Sequence, residues 1–101
     1  MIKHIILWRL HDFADGNSKA ENARKLKKRL LALKESIPQI LQMEVGINIA
    51  GGDPNAADVV LYSEFENLEA LQAYQQHPEH QKLVQFLNKV RSEKRVVDYQ
   101  V

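Results

Sequence analysis

The stretch Leu41-Gln42-Met43-Glu44-Val45-Gly46-Ile47-Asn48-Ile49 alternates apolar and polar residues without interruption. Successive side chains of a strand point to opposite faces, so this period of two predicts a strand over 41–49 with one apolar face. Gly51-Gly52-Asp53-Pro54-Asn55 follows as turn chemistry, with glycine supplying positive φ and Pro54 presetting a bend. Neither the lysine nor the glycine spacing of a phosphate-binding loop is present there. The run Asp58-Val59-Val60-Leu61-Tyr62-Ser63-Glu64-Phe65 then reads as a strand hydrophobic enough to be central in a sheet.

Outward from this strand pair the pattern changes to helical spacing on both sides. Upstream, Ser18 and Glu21 match a capping box, in which each side chain satisfies an amide left unpaired at a helix start. Ala23, Leu26, Leu30, Leu33 and Ile37 recur at steps of three or four, while Lys25, Lys27, Lys28, Arg29 and Lys34 fall largely elsewhere, as a solvated helix face requires. Pro38 ends this helix near Ser36, because the residue before a proline is pushed from helical angles. Before it, Met1 to Leu10 reads as a strand and His11 to Asn17 as a loop. Ile2, His4, Ile6, Trp8 and Leu10 share one face of that strand, and Ile5 and Leu7 make the other apolar too. Both faces therefore call for cover, which encloses His4.

Downstream, Asn67 caps a helix with Leu68, Leu71 and Tyr74 on its buried side. Proline lacks an amide donor and locks its own φ, so Pro78 breaks this helix and opens another. His80, Leu83, Val84, Leu87 and Val90 form the apolar stripe of that third helix, with Phe86 at its edge, and Arg95 to Val101 reads as the last strand. The order is β-α-β-β-α-α-β: an α+β, ferredoxin-like split βαβ domain over residues 1–101. It predicts a four-stranded antiparallel sheet with all helices on one face. The uncovered face needs a partner, and two such sheets packed together make a dimeric α/β barrel.

Composition narrows the function classes. The chain has 101 residues, 45% of them hydrophobic, and suits a single core; homodimerisation would add burial. It has no cysteine, which excludes disulfides, thiol catalysis and thiolate metal sites. A formal charge of +1 is too balanced for a broad nucleic-acid footprint, so no nucleic-acid partner is expected. With no long apolar segment and no basic-then-apolar leader, a cytoplasmic protein without a membrane partner is the expectation.

The residues capable of chemistry gather in Tyr74-Gln75-Gln76-His77-Pro78-Glu79-His80. Imidazole, with an ordinary pKa near ~6.5, suits proton transfer at neutral pH. His77 is expected to build the helix junction, and His11, in a polar loop, is given no role. His80 and His4 admit two readings: packed histidines satisfied by backbone or water, or the lining of a ligand pocket. Tyr74 likewise reads as a core aromatic or as a ligand contact. His77 and His80 share a spacing of three, but no third ligand completes a catalytic zinc set, so no metal site is predicted.

The opening Ile2-Lys3-His4-Ile5, Ile37-Pro38 before a strand with Val45-Gly46, Ser63-Glu64-Phe65-Glu66, Ala73-Tyr74-Gln75-Gln76-His77-Pro78-Glu79-His80 and Val97-Asp98-Tyr99 occur in an order that resembles the stress-responsive dimeric α/β-barrel family. The resemblance covers nearly the whole chain and implies a ferredoxin-like homodimer. Function varies within that family, from members without assigned activity, through stable plant stress-related proteins, to olivetolic acid cyclase. The cyclase closes a linear polyketide by aldol condensation without an organic cofactor. By resemblance its catalytic positions fall on His80 as general base, His4 as assisting imidazole and Tyr74 as a phenol that orients or polarises the substrate. A small, partly apolar or polyketide-like ligand is then implied, with no cofactor. The alternatives are a non-catalytic dimeric binding or stress-response module, and a monooxygenase-like barrel enzyme suggested by Trp8, which here has no clear asparagine partner.

Overall fold

The computed structural model describes residues 1–101. Its elements are β1 (Ile2–Leu10), β2 (Phe13–Ala14), β3 (Asn17–Ser18), α1 (Lys19–Ser36), β4 (Gln42–Ile47), β5 (Val59–Phe65), α2 (Leu68–Gln76), α3 (Pro78–Val90) and β6 (Arg91–Gln100). The four long strands form one sheet in the order β4-β5-β1-β6, with every neighbouring pair antiparallel. This is the ferredoxin-like α+β arrangement, and the helices lie on one face. None of them is long and apolar enough to cross a membrane.

The caps form as their chemistry requires. Ser18 and Glu21 make the reciprocal capping box at the start of α1, and the Ser18 hydrogen bonds hold the Glu21 carboxyl below its usual range. Such a cap contributes about 0.5–2 kcal/mol to helix stability. The Asn67 side chain accepts from the Ala70 amide at 2.9 Å to start α2. His77 closes α2 and opens α3: its Nδ1 accepts the Glu79 amide at 3.1 Å, and Pro78 occupies the first helical turn.

Several boundaries differ from the sequence expectation, each for a local reason. The loop read over His11 to Asn17 contains the small β2–β3 hairpin, turned by Asp15 at φ 52° and Gly16 at φ 78°. Two consecutive positive-φ residues suit the two-residue hairpin turn that Asp-Gly favours. Strand β4 stops at Ile47 and not at Ile49, which is fully exposed. Asn48 diverts the backbone there: its amide donates to the Ala57 carbonyl at 2.7 Å and its side-chain oxygen accepts from the Ala50 amide at 2.8 Å. Strand β6 begins at Arg91, earlier than Arg95, because β1 runs on to Leu10 and supplies it with partners across a bulge at Arg9/Leu10.

Helix phase also departs from expectation in two places. Leu68 is 58% exposed, whereas Leu71 and Tyr74 are buried. Each step of three falls about 60° short of a full turn, so over six residues Leu68 has rotated off the buried stripe. In α3 the buried stripe is Leu83, Phe86, Leu87 and Val90; Phe86 sits within it, while His80 and Val84 are only half-buried. Lys25 and Arg29 of α1 cover the Phe86 ring, at 5.3 and 4.8 Å from its centre.

The core lies between the helices and one face of the sheet. On β1 the buried row is Ile2, His4, Ile6, Trp8 and Leu10, and on β5 it is Val59, Leu61, Ser63 and Phe65. The opposite face carries Ile5, Leu7, Val60, Tyr62, Val97 and Tyr99, of which Leu7, Val97 and Tyr99 are 41%, 51% and 41% exposed. The expectation of an apolar second face is met, and nothing within the chain covers it.

Candidate functional site

Three elements bring His4, Tyr74 and His80 into one cluster. His4 projects from β1 beneath the helices and is 2% exposed. Its Nδ1 pairs with the Asp98 carboxylate, placed opposite it on β6 by the antiparallel register. The Ser63 hydroxyl donates to the His4 carbonyl at 3.1 Å and secures the backbone from the β5 side. Tyr74 enters from the last turn of α2, and His80 from the first turn of α3 after the Pro78 break.

The rings meet edge to face. Tyr74 lies 4.5 Å from His80 and 6.2 Å from His4, centre to centre, and Phe65 packs at 5.0 Å from Tyr74. Such contacts each contribute about 0.5–1.5 kcal/mol beyond area burial, so this is a firm structural unit as well as a chemical one. Both imidazoles therefore have set orientations.

The electrostatics push the groups toward neutral forms. Burial lowers the His80 pKa below its ordinary 6.5, the Gln75 carbonyl dipole partly offsets this, and the nearby charges of His4, Lys94 and His77 lower it further. The Gln75 carbonyl is already engaged by the Gln81 side-chain amide at 2.7 Å, and His80 Nδ1 is enclosed with no hydrogen-bond partner. Burial raises the Tyr74 phenol, keeping it protonated. The arrangement thus packs an imidazole held toward its neutral form against the ring of a protonated phenol. A base and a donor for developing negative charge are the requirements for removing a proton from carbon.

His77 does not join the cluster as a ligand, since its Nδ1 is spent on the α3 cap. Trp8 is buried on the same face as His4, four residues along β1 and so about 13 Å away, with its indole N–H unpartnered. None of the five main clefts of the protomer is lined by His4, Tyr74 or His80. The principal apolar cleft, of about 360 Å³, lies instead around Leu7, Gly46, Ile47 and Val60 at one corner of the sheet. Sequence reasoning missed Asp98 as a partner. The signal was present in the parity of β6, but which face Asp98 takes depends on strand register.

The family model described as the stress-responsive A/B barrel domain matches residues 2–101. The chain belongs to the Dabb family. A dimeric protein of unknown function with a ferredoxin-like fold, from Bacteroides fragilis, is 32% identical to this Dabb domain. The match covers 99% of this chain and 95% of that one, with a TM-score of 0.83. A crystal structure of an Arabidopsis thaliana protein is 25% identical, covering 100% of this chain and 95% of its own, at TM-score 0.80. The hydroxynitrile lyase of Passiflora edulis superposes at TM-score 0.80 over 99% of this chain and 92% of its own; at 12% identity this is a likeness of fold alone. No curated protein matches the chain.

Proposed function

We propose that this Dabb domain is a homodimer that binds a small, partly apolar molecule at the His4–Tyr74–His80 cluster and carries out cofactor-free proton transfer at carbon. The observation that carries the reading is the enclosed, unpartnered Nδ1 of His80 against the Tyr74 ring. A buried polar atom left without a partner costs about 1–3 kcal/mol, and a ligand group that meets it recovers that cost. In an aldol closure, His80 takes the proton from a carbon between two carbonyls and Tyr74 donates to the enolate oxygen. The carbanion then attacks a second carbonyl of the same molecule, and the resulting alkoxide receives the proton back. Asp98 accepts from His4 Nδ1, which sets the tautomer and orientation of the assisting ring.

Dimerisation is supported by the uncovered sheet face and by the dimeric relative from Bacteroides fragilis. The non-catalytic reading, a stable binding or stress-response module with architectural histidines, is favoured by one observation: the main clefts of the protomer do not reach His80. Turnover of a linear poly-β-keto thioester separates the two. Loss of turnover in His80→Ala and Tyr74→Phe, with folding intact, is the expected result, and unchanged turnover would remove both residues from the chemistry.

A further inference from the structure

The strand β6 borders the cluster with a row of side chains that the helices leave open. Register places Lys94 opposite Trp8, Val96 opposite Ile6 and Asp98 opposite His4, so all three point to the helix side of the sheet. Their partners on β1 are buried, yet Val96 is 47% exposed and Lys94 is likewise exposed. The row is therefore an open shelf beside the His4–Tyr74–His80 cluster. At one end stands a carboxylate already committed to His4, in the middle an apolar side chain, and at the other a lysine.

Lys94 has no ion-pair partner, as is true of most lysines and arginines of the chain; its place at the end of this row on the helix side is what sets it apart. Its charge is felt at His80, whose protonation it opposes. Residues two apart on one face of a strand are separated by about 7 Å, so Lys94 and Asp98 lie about 13 Å from each other. That span fits a small molecule with an anionic end and an apolar body.

We propose that Lys94 is a specificity-determining residue of this site and that the ligand is a carboxylate on an apolar or aromatic body, its acid group on Lys94 and its body over Val96. The proposal rests on the pocket reading given above and adds the charge of the ligand to it. A lysine facing a site of neutral imidazole and phenol favours an anion over an uncharged analogue of the same shape, through a charge-assisted hydrogen bond.

The test compares 3-phenylpropanoate with 3-phenylpropan-1-ol, which share a skeleton and differ in charge, using histidine ring NMR signals of the full chain. Wild type is expected to show His80 shifts at concentrations about tenfold lower for the acid than for the alcohol. Lys94→Met is expected to lose this preference while keeping its response to the alcohol, and Lys94→Arg to retain it. Equal binding of acid and alcohol by wild type, or a preference that survives in Lys94→Met, overturns the role of Lys94 and leaves the pocket standing. If neither compound moves the His80 or His4 signals, the pocket reading falls and the inference with it. Thermal melts of the variants separate loss of binding from loss of fold.

Discussion

The two faces of the sheet carry similar apolar side chains and have opposite fates. Beneath the helices, Ile6, Trp8, Leu61 and Phe65 are no more than 5% exposed, and the polar His4 and Ser63 are buried among them. On the outer face, Ile5, Leu7, Val60 and Val97 find no cover in the chain. Burying a polar group without cause is costly, and leaving apolar groups open forgoes stabilisation. The polar groups on the helix side are satisfied within the chain, His4 by Asp98 and Ser63 by the His4 carbonyl, whereas the apolar groups on the outer side are left without cover.

The largest effect expected from breaking this contrast is on the helix side. Leu61 is fully buried, and Leu61→Ala should cost about 2–5 kcal/mol in denaturant unfolding through the cavity it leaves. On the outer face, Val97→Asp should leave the fold intact and shift the protein from dimer to monomer in sedimentation at micromolar concentration. A side chain of this size stabilises by about 1.5–3 kcal/mol when fully buried, so the dissociation constant should rise at least tenfold. A wild-type protein that sediments only as monomer would remove the distinction between the faces.

The smallest effect concerns pH and sharpens the helix side. His80 has a folded pKa lowered from 6.5, mainly by burial, so between the two values the unfolded chain binds more protons than the native one. Stability from this group is complete above the unfolded pKa and falls as pH drops from about 6.5 toward the folded value. Denaturation midpoints across this range should show that decline, and His80→Gln should flatten it.

How much was legible in sequence follows the range of the forces involved. The capping box at Ser18, the break at Pro78 and the dual role of His77 are local, and their chemistry is written in neighbouring residues. The gathering of His4, Tyr74 and His80 was reached through family resemblance, and the ring distances agree with it. Asp98 and Lys94 were not read, because their face depends on pairing with β1 from the far end of the chain. Leu68 was misplaced by a stripe traced too far, and Phe86 by a helix phase that the packing of α1 against α3 decides. The turn of the β2–β3 hairpin is written locally in Asp15-Gly16, within a polar run whose composition otherwise reads as loop.

Helix α3 ends at Val90 and β6 begins at Arg91, with no loop between them. This junction acts as a phase lock between the two faces. One residue inserted there would reverse the parity of β6, turning Arg95, Val97 and Tyr99 toward the helices and taking Asp98 away from His4. The same event would strip the outer face of its apolar rungs and present Lys94, Val96 and Asp98 in their place. The His4 cluster and the apolar outer face are thus inherited together: an odd change in length at this point disturbs both at once, whereas the Asn48 to Asp58 connection lies outside the paired strands and leaves the parity of β6 untouched by changes in its length.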